Sequence, residues 1–385
     1  MILVALTAVG IISTLFVVLK HNAVLSNLTE IFYDSNFWSE VEMTKVLDEE
    51  RSRIRVSLEN VSFPQDSPFR SLEEFLPERG GKQLIFLIIG YWRSGSTFLG
   101  DTLSSHPSTL YFYEPFKKWG AQQIRAPPES EEAVRVLRKL IENDFCNLDS
   151  ILRFERSRNP YVRGKNAHMS RICKKYGGRC YEPEFLSRFM KLFPFKVFKI
   201  TRLRLSQVEY FLKNPRYNVR VILLVRDPRG LMSSRRRLFW CSKGPDCYEP
   251  RNFCSDLVSD HATALRFSEM LPYPERFKVV RYEDLALSPE ETIKDLFNFA
   301  GLHLHKQVSD FILTHTRFST GSVYTTFRNA TANAFRWREN TPVELILDTQ
   351  MKCKTALELW GYKQVKDFTT IKTFFPIDLN FTMTK

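Results

Sequence analysis

The 385-residue sequence is poor in the groups that build metal and dinucleotide sites. It has only seven histidines, none in a His-Glu-x-x-His pattern, and its seven cysteines never form a Cys-x-x-Cys pair. The ligand sets of zincins and zinc ribbons are therefore missing. His303 and His305 lie two apart. That spacing puts them on opposite sides of a strand and suits a helix no better, so no metal role is assigned to them. Gly-x-Ser-x-Gly is absent, as is any Gly-x-Gly-x-x-Gly after a strand, which removes the nucleophile-elbow and dinucleotide signatures. No internal repeat or low-complexity tract is present, so solenoids and arrays are excluded.

Charge is missing from one place in particular. Met1–Leu19 carries none, and only three hydroxyl side chains. At about 1.5 Å per residue this stretch comes close to the ~30 Å of a hydrocarbon core. It reads as a transmembrane signal-anchor over residues 1–19. A cleaved signal peptide is the rival, but it would want a basic start, a shorter apolar core and an Ala-x-Ala-type cleavage site. Asn27, Asn60, Asn329 and Asn380 each begin an Asn-x-Ser/Thr triplet, which suits a luminal region after the span. Residues 20–82, charged and without strand pattern, read as a stem. All seven cysteines follow the span, where an oxidising lumen favours disulfides. Cys241, Cys247 and Cys254 cluster closely enough to expect at least one bridge. Connectivity stays open, and the odd count leaves one thiol free or paired between two copies of the chain.

The most informative stretch is Leu84–Gly100. Leu84–Ile89 reads as a buried parallel strand that enters a tight loop and opens a helix near Ser96. Gly90 and Gly95 have the spacing of a phosphate-cradling Gly-x-x-x-x-Gly-Lys-[Ser/Thr] loop, but Ser96 stands where the lysine belongs. That lysine reaches the β- and γ-phosphates of a nucleoside triphosphate. Its replacement points to a nucleotide with no γ-phosphate and no metal. Loop amides and the helix N-terminus still favour a 5′-phosphate, with Arg93 beside it. Alone, the stretch is equally a plain βα unit.

A second strand, Val221–Val225, ends at Arg226, and Pro228 starts a new helix that carries Ser234. Ligands of open α/β sheets bind beyond the carboxyl ends of the strands, so Arg93 and Arg226 are expected to face one crevice. Arg235, Arg236 and Arg237 read as a solvated helix face.

The segments Trp92–Phe98 and Arg226–Ser234 resemble the two nucleotide-binding signatures of the Golgi carbohydrate sulfotransferases. The nearest branch is the one that sulfates the 6-hydroxyl of galactose, N-acetylglucosamine or N-acetylgalactosamine. Val280–Leu285 and the Arg-Asn…Trp-Arg run in Phe327–Arg338 match the same family, so the resemblance spans Leu84 to about Tyr362. It implies an α/β, P-loop-like three-layer sulfotransferase fold with a central parallel sheet, preceded by the N-terminal helix. It also implies 3′-phosphoadenosine 5′-phosphosulfate (PAPS) as donor without a metal, and a luminal domain of a single-pass type II Golgi membrane protein. By the same resemblance Trp92, Arg93, Ser94, Gly95, Ser96, Thr97 and Phe98 cradle the 5′-phosphosulfate. Arg226 and Ser234 hold the 3′-phosphate, with Arg328 as a second cation. Many sulfotransferases carry lysine at the Arg93 position; arginine keeps its proton, so its role is electrostatic. Ser-Thr-Phe replaces the Ser-Ser-Phe common in close relatives and keeps the hydroxyl.

Glu114, about twenty residues after the loop, matches the position of the family's base carboxylate. Tyr113, Pro115 and Phe116 around it predict a desolvated carboxyl with a raised pKa. His106 is the rival base, although Ser-Ser-His-Pro at 104–107 reads as a helix-ending turn. Trp337 and Tyr324 are the aromatics marked as sugar platforms. The catalytic domain is expected over 83–365, with a tail at 366–385. Its parallel strands are Leu84–Ile89, Thr109–Tyr113, Val197–Thr201, Val221–Val225 and Lys278–Tyr282, and a polar insertion at 126–184 borders the acceptor cleft. The net charge of +13 suits an acidic glycan or glycosaminoglycan acceptor, and the luminal setting argues against nucleic acid. A nucleotide kinase or hydrolase, and a non-catalytic glycan-binding ectodomain, are the alternative readings.

Overall fold

The structure is a computed structural model that describes residues 38–148, 165–270, 275–317 and 330–383. Five parallel strands form its centre: β1 (Leu84–Gly90), β2 (Thr109–Tyr113), β3 (Phe195–Ile200), β4 (Asn218–Val225) and β5 (Phe277–Arg281). They lie in the order β2-β3-β1-β4-β5. All seven residues of β1 and all six of β3 are buried. Side chains alternate between faces, so both faces of the sheet are covered, the condition that makes these strands uniformly apolar. The chain leaves β1 towards β2 on one side and leaves β4 towards β5 on the other. The neighbouring ends of β1 and β4, in register at Gly90 and Leu224, are thus the switch point of the sheet.

The predicted strands are all present, but β3 and β4 begin earlier than expected. Lys196 and Arg220 break the apolar runs in sequence, yet both are buried in the sheet. Lys196 Nζ donates to the Leu140 and Ile141 carbonyls and to Asn143 Oδ1, closing the C-terminus of the helix Glu129–Glu142. Arg220 donates to Asn218 Oδ1 and the Phe299 carbonyl. A charged residue interrupts the pattern without interrupting the strand when its donors find acceptors inside.

The stretch read as a stem is, in its described part, packed into the body. Ser39 and Glu42 form a capping box that starts the helix Glu40–Ser57. Met43, Val46, Leu47, Glu50 and Ile54 make its inner face, and the apolar members join the main core. Trp38 stacks on Phe185 at 4.7 Å and donates to the Arg179 carbonyl. Glu50, fully buried, accepts from Arg171 at 2.6 and 2.7 Å and meets His168 Nδ1 at 2.7 Å. These contacts bind the N-terminal helix to the insertion. Its charge-rich sequence hid this, because burying one stripe needs only five positions in eighteen.

The segment read as a tail is also packed. Ile371 joins Trp337, Ile346 and Val365 in a small second core, and Ile377 is fully buried. Disulfides join Cys173–Cys180, Cys241–Cys247 and Cys254–Cys353; Cys146 is a free, exposed thiol. No described helix is long and apolar enough to cross a membrane, and Met1–Leu19 lies outside the described residues.

Candidate active site

A cavity of about 640 Å³ opens beyond the carboxyl ends of the strands. The loop after β1 forms its floor. Arg93 sits in the left-handed region at φ +73° and Gly95 at φ +95°. A Cβ on Gly95 would lie 2.2 Å from the Tyr282 ring, so this position needs glycine for conformation and for space. Gly95 is the N-cap of the helix Ser96–Ser104 and supplies no side-chain cap. The first amides of that helix have no partner within the helix, and Ser96, Thr97 and Phe98 line the cavity, an arrangement suited to an anion. Six of the seven loop residues expected there line the cavity. Ser94 does not: it is fully buried, donates its N–H to the Tyr91 carbonyl, and packs its hydroxyl near Gly90.

Arg226 leaves β4 beside this loop. Its Nη1 donates to the Arg93 carbonyl at 2.7 Å, and its guanidinium lies over the Tyr282 ring at 4.3 Å. Arg226 lines the cavity, and its Nε is buried with no hydrogen-bond partner among the described residues. Arg93 Nε donates to Ser234 Oγ at 2.8 Å, joining the two sequence motifs directly. Burial pushes the Arg237 pKa down, and the nearby cations Arg336 and Arg226 add to that. Among the described residues Arg226, Arg237 and Arg336 have no ion pair. Such uncompensated positive charge fits a bound phosphate. Tyr282 is held from above by Asn333, whose Nδ2 donates to the Tyr282 hydroxyl at 2.7 Å. Arg328 and Tyr324 lie outside the described residues.

Glu114 faces the same cavity from the end of β2, at φ +52°. Its environment differs from the one expected. Lys199 Nζ, from the end of β3, bonds Glu114 Oε1, and Arg202 Nη1 bonds Oε2 at 3.1 Å. Burial pushes the carboxyl pKa up, but the charges and hydrogen bonds of Lys199 and Arg202 outweigh it and hold the pKa at about 2. The expected raised pKa is therefore corrected to a lowered one. Lys199 and Arg202 line the cavity and hold Glu114, and the sequence reading missed both. The available signal was two lysines, Lys196 and Lys199, inside the apolar run Phe195–Ile200, with Arg202 two residues beyond it.

Three other expectations are corrected or confirmed here. Arg235 is buried, donating to the Trp92 and Cys247 carbonyls, so only Arg236 and Arg237 are exposed. Trp337 is only 2% exposed, with the Arg229 guanidinium 4.4 Å from its ring, and presents no face to a sugar. His106 is buried between Phe195 and Phe297, and burial pushes its pKa down to about 3, in keeping with a structural turn.

Two nucleotide-motif segments joined at a sheet switch point, with a carboxylate across from them, agree with the sequence comparison. The sulfotransferase family matches residues 86–306, more than half of the chain. The chain belongs to the sulfotransferase family. The sulfotransferase is 28% identical over 337 residues to carbohydrate sulfotransferase 1 of Danio rerio, covering 74% of this chain and 79% of the relative. To carbohydrate sulfotransferase 5 of Homo sapiens it is 29% identical over 335 residues, covering 75% and 80%. Carbohydrate sulfotransferase 3 of Mus musculus aligns over 406 residues at 25% identity, covering 92% of this sulfotransferase and 82% of that one. Arg93, Glu114, Lys199, Arg226 and Ser234 all fall within the family match, whereas Phe327–Arg338 lies beyond it.

Proposed function

We propose that this sulfotransferase moves the sulfonate of PAPS to the 6-hydroxyl of a galactose, N-acetylglucosamine or N-acetylgalactosamine residue in a glycan. The observation that carries this reading is the shared cavity: the loop after β1, Arg226 and Glu114 all line it. When bound, PAPS supplies an activated sulfonate on a 5′-phosphate leaving group. The amides at Ser96, Thr97 and Phe98 hold that phosphate, with Trp92 and Gly95 shaping the loop. Arg226 and Ser234 hold the 3′-phosphate, and Arg328 follows from the family resemblance.

Glu114 takes the proton of the acceptor hydroxyl as that oxygen attacks sulfur in line. With a pKa of about 2 the carboxylate is ionised at any physiological pH, but it is a weak base while both cations hold it. An anionic sulfonate in the cavity competes for the Lys199 ammonium, and loss of that pairing restores basicity at the moment of reaction. Arg93 stabilises the charge that builds on the bridging oxygen as the sulfur–oxygen bond breaks. Fixed side-chain cations supply the charge neutralisation, so the reading is of a metal-independent reaction. Met1–Leu19 would anchor the enzyme in the Golgi membrane with these residues in the lumen.

The test is transfer from ³⁵S-labelled donor to desulfated keratan, chondroitin and GlcNAc-terminated glycans by the full chain, with and without EDTA. EDTA-resistant label that is lost in Arg93→Ala and Glu114→Gln supports the reading. Failure to bind either donor or its desulfated product 3′-phosphoadenosine 5′-phosphate overturns it.

A further inference from the structure

One wall of the cavity is built by neither donor motif. Two segments contribute to it: Lys117, Gly120 and Ala121 from the turn after β2, and Trp240 from the loop Phe239–Cys247 after the helix Pro228–Arg235. They are locked together. A Cβ on Gly244 would lie 3.1 Å from the Ala121 carbonyl oxygen. The Gln123 backbone N–H donates to Asp246 Oδ2 at 2.7 Å, and Arg125 Nη2 pairs with Asp246 Oδ1 at 2.7 Å. The Cys241–Cys247 bridge closes the loop at its base. A wall tied by a disulfide, an ion pair and close backbone packing keeps its shape.

Two side chains reach the cavity from this wall. Trp240 is 36% exposed, with its ring 6.1 Å from that of Trp92 in an edge-on contact. Beside it Phe239 is 78% exposed. Trp240, on a stapled loop, presents an apolar face to the cavity. The other side chain is Lys117. The cations around it are engaged: Lys118 pairs with Glu132 at 2.6 Å, and Lys199 and Arg202 with Glu114. Among the described residues no carboxylate lies within ion-pair distance of Lys117, which lines the cavity.

We infer that this wall is an acceptor subsite for an anionic sugar chain. Trp240 carries the apolar face of a sugar ring, and Lys117 takes the carboxylate or sulfate of a residue next to the accepting sugar. Chains bearing uronate or existing sulfate are then better acceptors than neutral ones. The inference rests on the proposed transferase reading and adds a substrate class to it.

The experiment compares the full chain with Lys117→Gln, Trp240→Ala and Trp240→Phe. Acceptors are chondroitin (carboxylate only), partly sulfated keratan (sulfate only) and fully desulfated keratan (neutral). Binding of 3′-phosphoadenosine 5′-phosphate and thermal melting are followed in parallel. Lys117→Gln is expected to lower kcat/KM on the acidic chains about fivefold, the scale of one partly exposed charge pair. It leaves the neutral chain and nucleotide binding unchanged, and weakens the salt dependence of acidic-chain transfer. The keratan and chondroitin arms show which anion Lys117 prefers. Trp240→Ala raises KM on every chain with kcat and nucleotide binding held, and Trp240→Phe recovers most of the loss. An unchanged acidic-to-neutral ratio in Lys117→Gln overturns the inference while transfer itself still stands. Weakened nucleotide binding in either variant assigns the wall to the donor and also overturns it. Absence of nucleotide binding and of transfer in the parent chain removes both readings together.

Discussion

Replacing Lys199 with methionine keeps the length and apolar bulk of the side chain and removes the ammonium that bonds Glu114. The fall of the Glu114 pKa from 4.5 to about 2 occurs against burial, and Lys199 is the larger of the two cationic causes. That fall corresponds to about 3 kcal/mol in favour of the ionised carboxylate. In the variant, burial still pushes the pKa up and only Arg202 pulls it down, so it returns to roughly the ordinary carboxylate range or above. The assay is ³⁵S transfer at saturating donor from pH 3.5 to 8. The parent enzyme is expected to show kcat/KM flat on the acid side down to the lowest pH it survives. Lys199→Met should show an acid limb between about pH 4 and 6, where Glu114 takes up its proton.

The same pairing carries a stability signature with a fixed sign. A carboxylate whose folded pKa is lowered stabilises the fold above its unfolded pKa, and that contribution disappears as pH falls from about 4.5 through about 2. Lys199→Met should therefore melt below the parent at pH 7, and the gap should close towards pH 3. Glu114→Gln leaves two buried cations with no anion, so its loss of activity is confounded by a stability cost of about 3 kcal/mol or more. The double variant Glu114→Gln/Lys199→Met removes charge on both sides. It should melt closer to the parent yet stay about a hundredfold or more below it in kcat. A parent acid limb between pH 5 and 7, or a limb that does not move in Lys199→Met, would refute control of the proton acceptor by this pair.

Other perturbations follow from single contacts. Gly95→Ala places a Cβ 2.2 Å from Tyr282 at φ +95°, so nucleotide affinity measured by calorimetry should drop at least a hundredfold; Gly95→Ala/Tyr282→Ala should recover only part of it, because the φ remains unsuitable. Ser234→Ala removes the acceptor of Arg93 Nε and should raise donor KM about tenfold with acceptor KM unchanged. A chain starting at residue 60 loses the helix Glu40–Ser57 and leaves Arg171 without Glu50, whereas one starting at residue 38 keeps both. Secreted yield should collapse for the first and hold for the second. Cys353→Ser opens the bridge across 99 residues and should cost about 4 kcal/mol by denaturant melting.

The sheet was legible because its strands are long apolar runs, and runs of that kind are what a sheet buried on both faces demands. The meeting of Arg93 with Arg226 was legible for a related reason. Both follow strand ends, and adjacent strand ends at a switch point bring their loops together whatever the sequence distance. Lys199 and Arg202 were missed because a charge at a strand end reads the same whether it meets solvent or a buried carboxylate. Only the register of β2 on β3, with Tyr113 opposite Lys199, puts Glu114 within reach. The packed helix Glu40–Ser57 was missed because its polar face outnumbers its buried one, and composition averages the two.

The aromatic residues show where local sequence stops being informative. Trp337 and Trp240 both lie close to arginine runs, and nothing in their neighbours ranks one above the other as a ligand platform. The fold decides. Arg229, held by Asp227 and Gln350, covers the Trp337 ring, and Phe374 packs beside it. Trp240 has no such cover because the Cys241–Cys247 bridge and the Asp246 contacts fix its loop from behind, leaving the ring at the cavity. The bridge thus has a role beyond stability. It closes a short loop, which gives it less chain-entropy stabilisation than the Cys254–Cys353 bridge, but it sets where an exposed ring stands relative to Glu114. Reduction of that bridge should accordingly raise acceptor KM, and because Trp92 packs with Cys241 and Cys247 and shares Arg235 with Cys247, it should weaken nucleotide binding as well.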